Sequence, residues 1–151
     1  MLSKKSKYAI KALVALAKNK NVSKLMRIAE IAKQEKIPQK FLEAILLDLR
    51  KHGFLGSKLG VNGGYYLLKS EDEIFLTDVI RLINGPIALI PCASLNYYEK
   101  CEDCEDEVTC GIRKVLMDVR IASLTILSNT SIADIISKEK RLVNAKNKAK
   151  K

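Results

Sequence analysis

The hydrophobic period of this chain changes between residues 54 and 69, and that change limits the fold more than any other feature. Upstream, apolar residues recur at helical spacing. Residues 5–19 place Ala9, Leu13, Leu16 and Ala17 on one face. Residues 23–36, "SKLMRIAEIAKQEK", predict a second helix, with Ser23 as N-cap and Leu25, Ile28, Ala29 and Ala32 as its apolar stripe. After a short connection at Ile37, "PQKFLEAILLDLRKHG" predicts a third helix. Pro38 suits its first turn, Phe41, Leu42, Ile45, Leu46 and Leu49 point inward, and Gly53 follows its end. Then comes "FLGSKLGVNGGYYLLK", in which two short strands, "FLGSKL" and "YYLLK", flank a "GVNGG" loop that accepts positive φ. Two helices with a tight turn between them make a helix-turn-helix, and a hairpin directly behind it makes a wing. A Gly-rich loop can also cradle a phosphate, but that use wants a helix after the loop, and here a strand follows.

Downstream, "LTDVIRLING" predicts a short helix with Thr77 as N-cap and Gly85 as terminator, and Pro86 and Pro91 bracket an irregular connection. From Gly111, "GIRKVLMDVRIASLTILSN" predicts a long amphipathic helix. Its Ile112, Val115, Leu116, Val119, Ala122, Leu124, Ile126 and Leu127 offer more apolar surface than one small domain covers. We read it as a dimerisation helix, with docking inside the chain as the alternative. "SIADIISKEKR" adds a final short helix, and "NAKNKAKK" reads as disordered. The fold class is therefore mainly α with a small β-hairpin. Residues 1–85 form a winged helix-turn-helix, 86–110 a cysteine-rich loop, 111–137 the dimerisation and terminal helices, and 138–151 a basic tail. The N-terminus looks like a signal peptide, but Lys11 and Lys18 break its apolar run and no small-residue cleavage site follows. With no apolar run of the ~18 residues that span a bilayer, the expectation is a cytoplasmic protein with no membrane partner.

The net charge of +10 is polarised: +8 over residues 1–36, +3 over 37–70, −8 over 71–110, +1 over 111–137 and +6 over 138–151. Such a chain turns one half towards a polyanion and keeps the other for separate work. The acidic stretch holds all four cysteines, Cys92, Cys101, Cys104 and Cys110, at intervals of eight, two and five residues. In a reducing compartment, clustered cysteines point to metal binding or redox chemistry. "CEDC" alone fits a redox dithiol or half a zinc knuckle, although its acidic neighbours argue against a low-pKa thiolate. An enzyme is not expected: no strand precedes the C-x-x-C, no acid–base constellation is present, and the lone His52 sits at a helix end, solvated or beside the C-terminal dipole. Nor is there an aromatic platform for single-stranded nucleic acid.

Taken in order, "SKYAIKALVALA", "IAEIAKQEKIPQKFLEAILLDLRKHGFL", "GVNGGYYL", "LTDVIRLINGP" and the cysteine loop with "GIRKVLMDVR" resemble the Rrf-two superfamily of bacterial winged-helix regulators (IscR-, NsrR-, RirA- and CymR-like proteins) over residues 2 to 137. The resemblance implies a homodimeric transcription factor on double-stranded DNA. Its recognition helices would read a palindromic operator with half-sites roughly 34–36 Å apart. By position, Gln39, Lys40 and Glu43 become base readers, with Glu43 able to accept from cytosine and to repel phosphate. Ser3, Lys4, Tyr8, Arg50, Lys51, Lys58, Asn62 and Gly63 become backbone or minor-groove contacts. In the sensing branch of the family, three cysteines ligate an iron–sulfur cluster, and Cys92, Cys104 and Cys110 match them. Some members add a His three residues after the last cysteine, where this chain has Arg113. Others take an acidic ligand near the partner's N-terminus, where this chain has Tyr8. Cys101 is then the implied fourth ligand of a 2Fe–2S or 4Fe–4S cluster, with zinc as the alternative metal.

Overall fold

A computed structural model of the chain describes residues 2–20 and 25–149. Its helices are α1 (Lys4–Asn19), α2 (Ile28–Glu35), α3 (Gln39–Lys51), α4 (Leu76–Asn84), α5 (Gly111–Ser128) and α6 (Ile132–Lys148). An antiparallel hairpin of β1 (Leu55–Lys58) and β2 (Gly64–Leu67) follows α3, and a short 3-10 turn covers Pro91–Ala93.

Helix α1 is the central column. The Ser3 hydroxyl caps it by accepting the Ser6 N–H at 3.1 Å. Ala9, Ala12, Leu13, Val14, Ala15, Leu16 and Ala17 are all buried, so α1 is covered nearly all round, by α2, α3, α4, α6 and β2. The third helix contributes Leu42, Ile45, Leu46 and Leu49, each fully buried at i, i+3, i+4, i+7 spacing. Phe41 departs from expectation. It lies on the flank of that stripe, is 42% exposed, and meets Tyr8 edge-on with ring centroids 5.7 Å apart.

The second helix starts later than its sequence suggests. Residues 25–27 are extended, and Met26 pairs with Tyr65 of β2 through two backbone hydrogen bonds of 3.0 and 2.9 Å. That pairing satisfies backbone groups a longer helix would have used, so α2 begins only at Ile28. Within it Ile31 is buried and Ala29 exposed. The expected Ser23 cap lies outside the described residues. Lys36 ends α2 in the left-handed region (φ 54°), and buried Ile37 leads through Pro38 into α3.

The expected Thr77 cap is also displaced. Helix α4 begins at Leu76, and Thr77 is buried with its hydroxyl unpartnered. Phe75 forms a bridge to Ser131, the Leu76 N–H donates to Thr130 O at 2.9 Å, and the Ile132 N–H donates to Ile74 O at 3.0 Å. These bonds tie the end of α5 and the start of α6 to the segment entering α4. The last helix opens with a reciprocal cap between Ser131 and Asp134, and Lys18 of α1 pairs with Glu139. It runs to Lys148, well into the tail expected to be disordered. Residues 132–149 hold no Gly or Pro, and Lys146 and Lys148 oppose the helix dipole in the last turn. Among the described residues no helix is long and apolar enough to cross a membrane.

Candidate nucleic-acid interface and cysteine pocket

Helix α3 presents Gln39, Lys40 and Glu43 to solvent in its first turns, with Gln39 Nε2 3.4 Å from Glu43 Oε1. Pro38 provides no side-chain cap, and the first turn holds no acidic residue, so the positive end of the helix dipole is left open to an anion. At the other end Lys51 is exposed, and Arg50 Nη1 donates to Ser57 Oγ at 3.0 Å, joining α3 to the hairpin. The Lys5 ammonium lies 2.7 Å from Asp48 Oδ2 and, by that hydrogen bond, holds the Asp48 carboxyl below its usual range. An acid on the α3 surface is thereby neutralised.

The wing loop, residues 59–63, carries exposed Asn62 between the strands, with Leu59 and Val61 about nine-tenths exposed, at 92% and 89%. Lys58 is exposed at the end of β1. Gly63 has a structural reason to be glycine, because a Cβ there would stand 2.2 Å from the Lys58 carbonyl oxygen. At Gly64 a Cβ would meet the Met26 carbonyl oxygen at 2.8 Å, so the close approach of the Met26 strand needs glycine as well. Arg27 Nη2 donates to Val61 O at 2.7 Å and braces the loop. Sequence reasoning missed Arg27, having placed it inside a helix. No local signal marked it, because Arg27 falls between Leu25 and Ile28 of the expected stripe.

The N-terminal candidates separate. Lys4 is exposed. The Ser3 hydroxyl is already engaged, capping α1 and donating to Asn84 of α4. Tyr8 is half-buried against Phe41, where it props the start of α3.

All four cysteines line one cavity of about 540 Å³, together with Glu107, Arg113 and the residues around Pro91. Cys92 is buried on the 3-10 turn, and Cys101 and Cys104 lie on the loop. Cys110 is the N-cap of α5, its sulfur accepting the Arg113 N–H at 3.5 Å. That backbone bond lowers the Cys110 pKa, whereas burial first, and the Cys110 sulfur second, push Cys104 up. The acidic neighbours of "CEDC" were expected to disfavour a low-pKa thiolate, and Cys104 of that pair is indeed pushed up. Cys110, outside the pair, is lowered by the Arg113 amide. Arg113 acts as a clamp: its Nε donates to Cys92 O at 3.1 Å and stands 4.0 Å from Glu107 Oε2.

Glu107 is a second residue that sequence reasoning missed, submerged in the acidic run. Its Oε2 accepts the Tyr98 hydroxyl at 2.6 Å, and its Oε1 is buried without a partner. Among the described residues no three Cys, Asp, Glu or His side chains stand together as a single-ion site. Zinc needs donors converging to ~2.3 Å of one point. A multi-iron cluster instead occupies volume, and its irons take thiolates from around its rim. A cavity lined by all four cysteines, with one buried Glu107 oxygen unpartnered, suits a group that fills volume more than a single ion.

Residues 2–138 match the family model described as "Rrf2: Iron-dependent Transcriptional regulator". An Rrf2-like HTH-type transcriptional regulator of Rhodobacter capsulatus is 41% identical over 139 residues, covering 91% of this chain and 93% of the relative. The HTH-type transcriptional regulator IscR of Sodalis glossinidius is 26% identical, over 93% of this chain and 81% of that one. Among solved structures, CymR, the global cysteine regulator of B. subtilis, superposes with a TM-score of 0.75 at 28% identity, covering 91% of this chain and 97% of its own.

Proposed function

The chain belongs to the Rrf2 family of DNA-binding transcriptional regulators, and from that premise we propose a homodimeric repressor or activator whose grip on a palindromic operator follows the state of an iron–sulfur cluster in the cysteine cavity. The observation that carries this reading is the ring of four thiols around one cavity, walled on one side by the N-terminus of α5. Cys92, Cys104 and Cys110 hold the cluster. Cys101 completes the set, and Glu107, with its free carboxylate oxygen, is its rival for the fourth position. A cluster held by these residues would cross-link the loop between α4 and α5. The protein supplies the rest: Cys110 is held ready for deprotonation by the Arg113 amide, and Arg113 fixes the Cys92 backbone.

The DNA half of the proposal assigns base reading to Gln39, Lys40 and Glu43, and phosphate or minor-groove contact to Lys4, Arg50, Lys51, Lys58 and Asn62, with Arg27 added as the brace of the wing. Ser3, Tyr8 and Gly63 keep a positioning role. Dimerisation falls to α5, whose Ile112, Val115, Val119, Ile121 and Ile126 are all exposed in the single chain. A chromosomal target places the work in the cytoplasm.

The test is an anaerobic preparation assayed for visible absorption, iron and acid-labile sulfide. Stoichiometric iron and sulfide, lost in the Cys92→Ala, Cys104→Ala and Cys110→Ala variants, is the expected result. A colourless protein without iron after reconstitution would remove the cluster.

One observation favours a second reading. Cys110, with its lowered pKa, lies beside Cys104. An oxidant such as a peroxide could take two electrons and two protons from the pair and leave a disulfide, making a thiol switch on the same DNA-binding frame. Mass spectrometry of the iron-free protein after peroxide treatment would identify that bond.

A further inference from the structure

Arg120 is the one buried side chain of α5 among the described residues, 8% exposed. Its Nη1 donates to the Ala93 carbonyl, but its Nε is buried without a partner and it forms no ion pair with any described carboxylate. A buried guanidinium with no counter-charge is costly, and native folds normally supply one.

The guanidinium lines a cavity of about 120 Å³ that it shares with Arg81, Pro86, Ser94, Asn96 and Leu124. No carboxylate belongs to this wall. The loop acids Glu102, Asp103 and Glu107 line the cysteine cavity instead, while Glu99 lines both that cavity and a neighbouring one that includes Ser94 and Tyr97. Arg81 sits in the last turn of α4, where it also offsets the helix dipole. Arg120 lies mid-helix and has no such duty. Ser94, itself 7% exposed, uses its hydroxyl oxygen to accept the Tyr97 N–H at 3.2 Å, which leaves the O–H free to donate.

We propose that this cavity binds a small anion, a carboxylate or oxyanion about the size of acetate or phosphate, as an effector separate from the cysteine site. Arg81, Arg120, Ser94 and Asn96 on one wall supply the kinds of donor that carboxylates and oxyanions accept. The walls come from the end of α4, the loop after the 3-10 turn, and α5. An occupant therefore links the last helix of the winged domain to the segment that carries Cys92. Any coupling between the two cavities is reciprocal: an occupant of the cysteine cavity that shifts anion affinity by some factor is itself shifted by the anion by the same factor.

The test is an NMR titration of the isotopically labelled, cluster-free full chain with sodium phosphate and, separately, sodium acetate, at ionic strength held constant with chloride. Saturable shifts of the Ser94, Asn96 and Tyr97 amides are expected, resolved from any shifts in α3, where phosphate on the DNA face would register. Arg81→Gln removes an exposed guanidinium without disturbing packing, and should weaken the affinity read at those amides by about tenfold, the loss of one charge-assisted hydrogen bond. Arg120→Lys, which keeps the charge and loses the fork, should weaken it as well. The proposal fails if neither anion gives saturable shifts there, or if Arg81→Gln binds as the parent does. It fails equally if both variants leave anion binding intact but raise the monomer fraction, because the missing counter-charge would then belong to a partner subunit.

Discussion

The winged-helix half and the arm of residues 86–128 are built to different standards of completeness. In the first, Leu13, Ile31, Leu42, Ile45, Leu46, Leu49, Leu55, Ile74 and Val79 are fully buried around α1. In the second, Cys92, Ala93, Ser94 and Arg120 are the buried residues, while Ile112, Val115, Val119, Ile121 and Ile126 face outward. The same chain thus carries one part packed by its own side chains and one part that leaves its apolar side chains in solvent. Hydrophobic burial explains the stability of the first. The second has an exposed apolar helix face and four cysteines around one cavity.

That contrast has measurable consequences. The largest belongs to the core: Leu46→Ala should cost about 2–5 kcal/mol in urea unfolding. Cys104→Ala in the metal-free protein should stay within about 0.5 kcal/mol, because its thiol lies on a thinly packed loop. Equal costs would mean that the arm folds as tightly as the winged domain. Next comes Val119→Asp on α5, which should sediment as a monomer and lose about 100-fold or more in operator affinity as the two half-sites uncouple. A variant that stayed dimeric with full affinity would move the interface off α5. Lys40→Ala should reduce the slope of log affinity against log salt by about one, with only a few-fold loss at low salt. An unchanged slope takes Lys40 off the phosphate backbone.

The smallest effect concerns Lys5 and Asp48, a pair whose side chains are each more than a third exposed, at 37% and 35%. Screening by solvent limits Lys5→Ala to about 0.5 kcal/mol or less. Because the pairing depresses the folded-state pKa of Asp48, its stabilisation is present above the ordinary carboxylate pKa and fades as pH falls through the lower, folded value. Parent and variant should therefore differ in unfolding midpoint at pH 7 and converge in acid, below about pH 4. A gap that widened in acid would contradict the assignment.

What the sequence made legible follows the range over which each decision is taken. The α3 stripe apart from Phe41, Gly53 after its end, and the change of period at the hairpin are local signals, and the structure has them where spacing places them. The starts of α2 and α4 are decided by distant partners. Met26 is drawn into extended pairing by Tyr65, and Phe75 by Ser131, and nothing in the neighbouring residues announces either bond. The tail was misread for a different reason: its lysines looked like a solvated charge run, yet Ala and Lys are also good helix formers. At the cysteine site the spacing marked the thiols. It could not mark Glu107, whose unpartnered oxygen is visible only once the loop is folded, or the effect of the α5 N-terminus on Cys110.

The backbone bonds of Thr130 and Ile132 to Leu76 and Ile74 fasten α5 at its C-terminal end to the winged domain, while its other end begins at a cysteine. Between those ends α5 also packs against α4 and the 3-10 turn, so a tilt of the helix is passed on through those contacts as well. At 1.5 Å per residue its 18 residues span about 27 Å, so a shift of about 2 Å at the Cys110 end needs a tilt of only about 4° around Thr130. Because the pivot is bonded to the strand-like entry of α4, such a tilt arrives at the DNA-binding body as a torque, with no need for α3 itself to change shape.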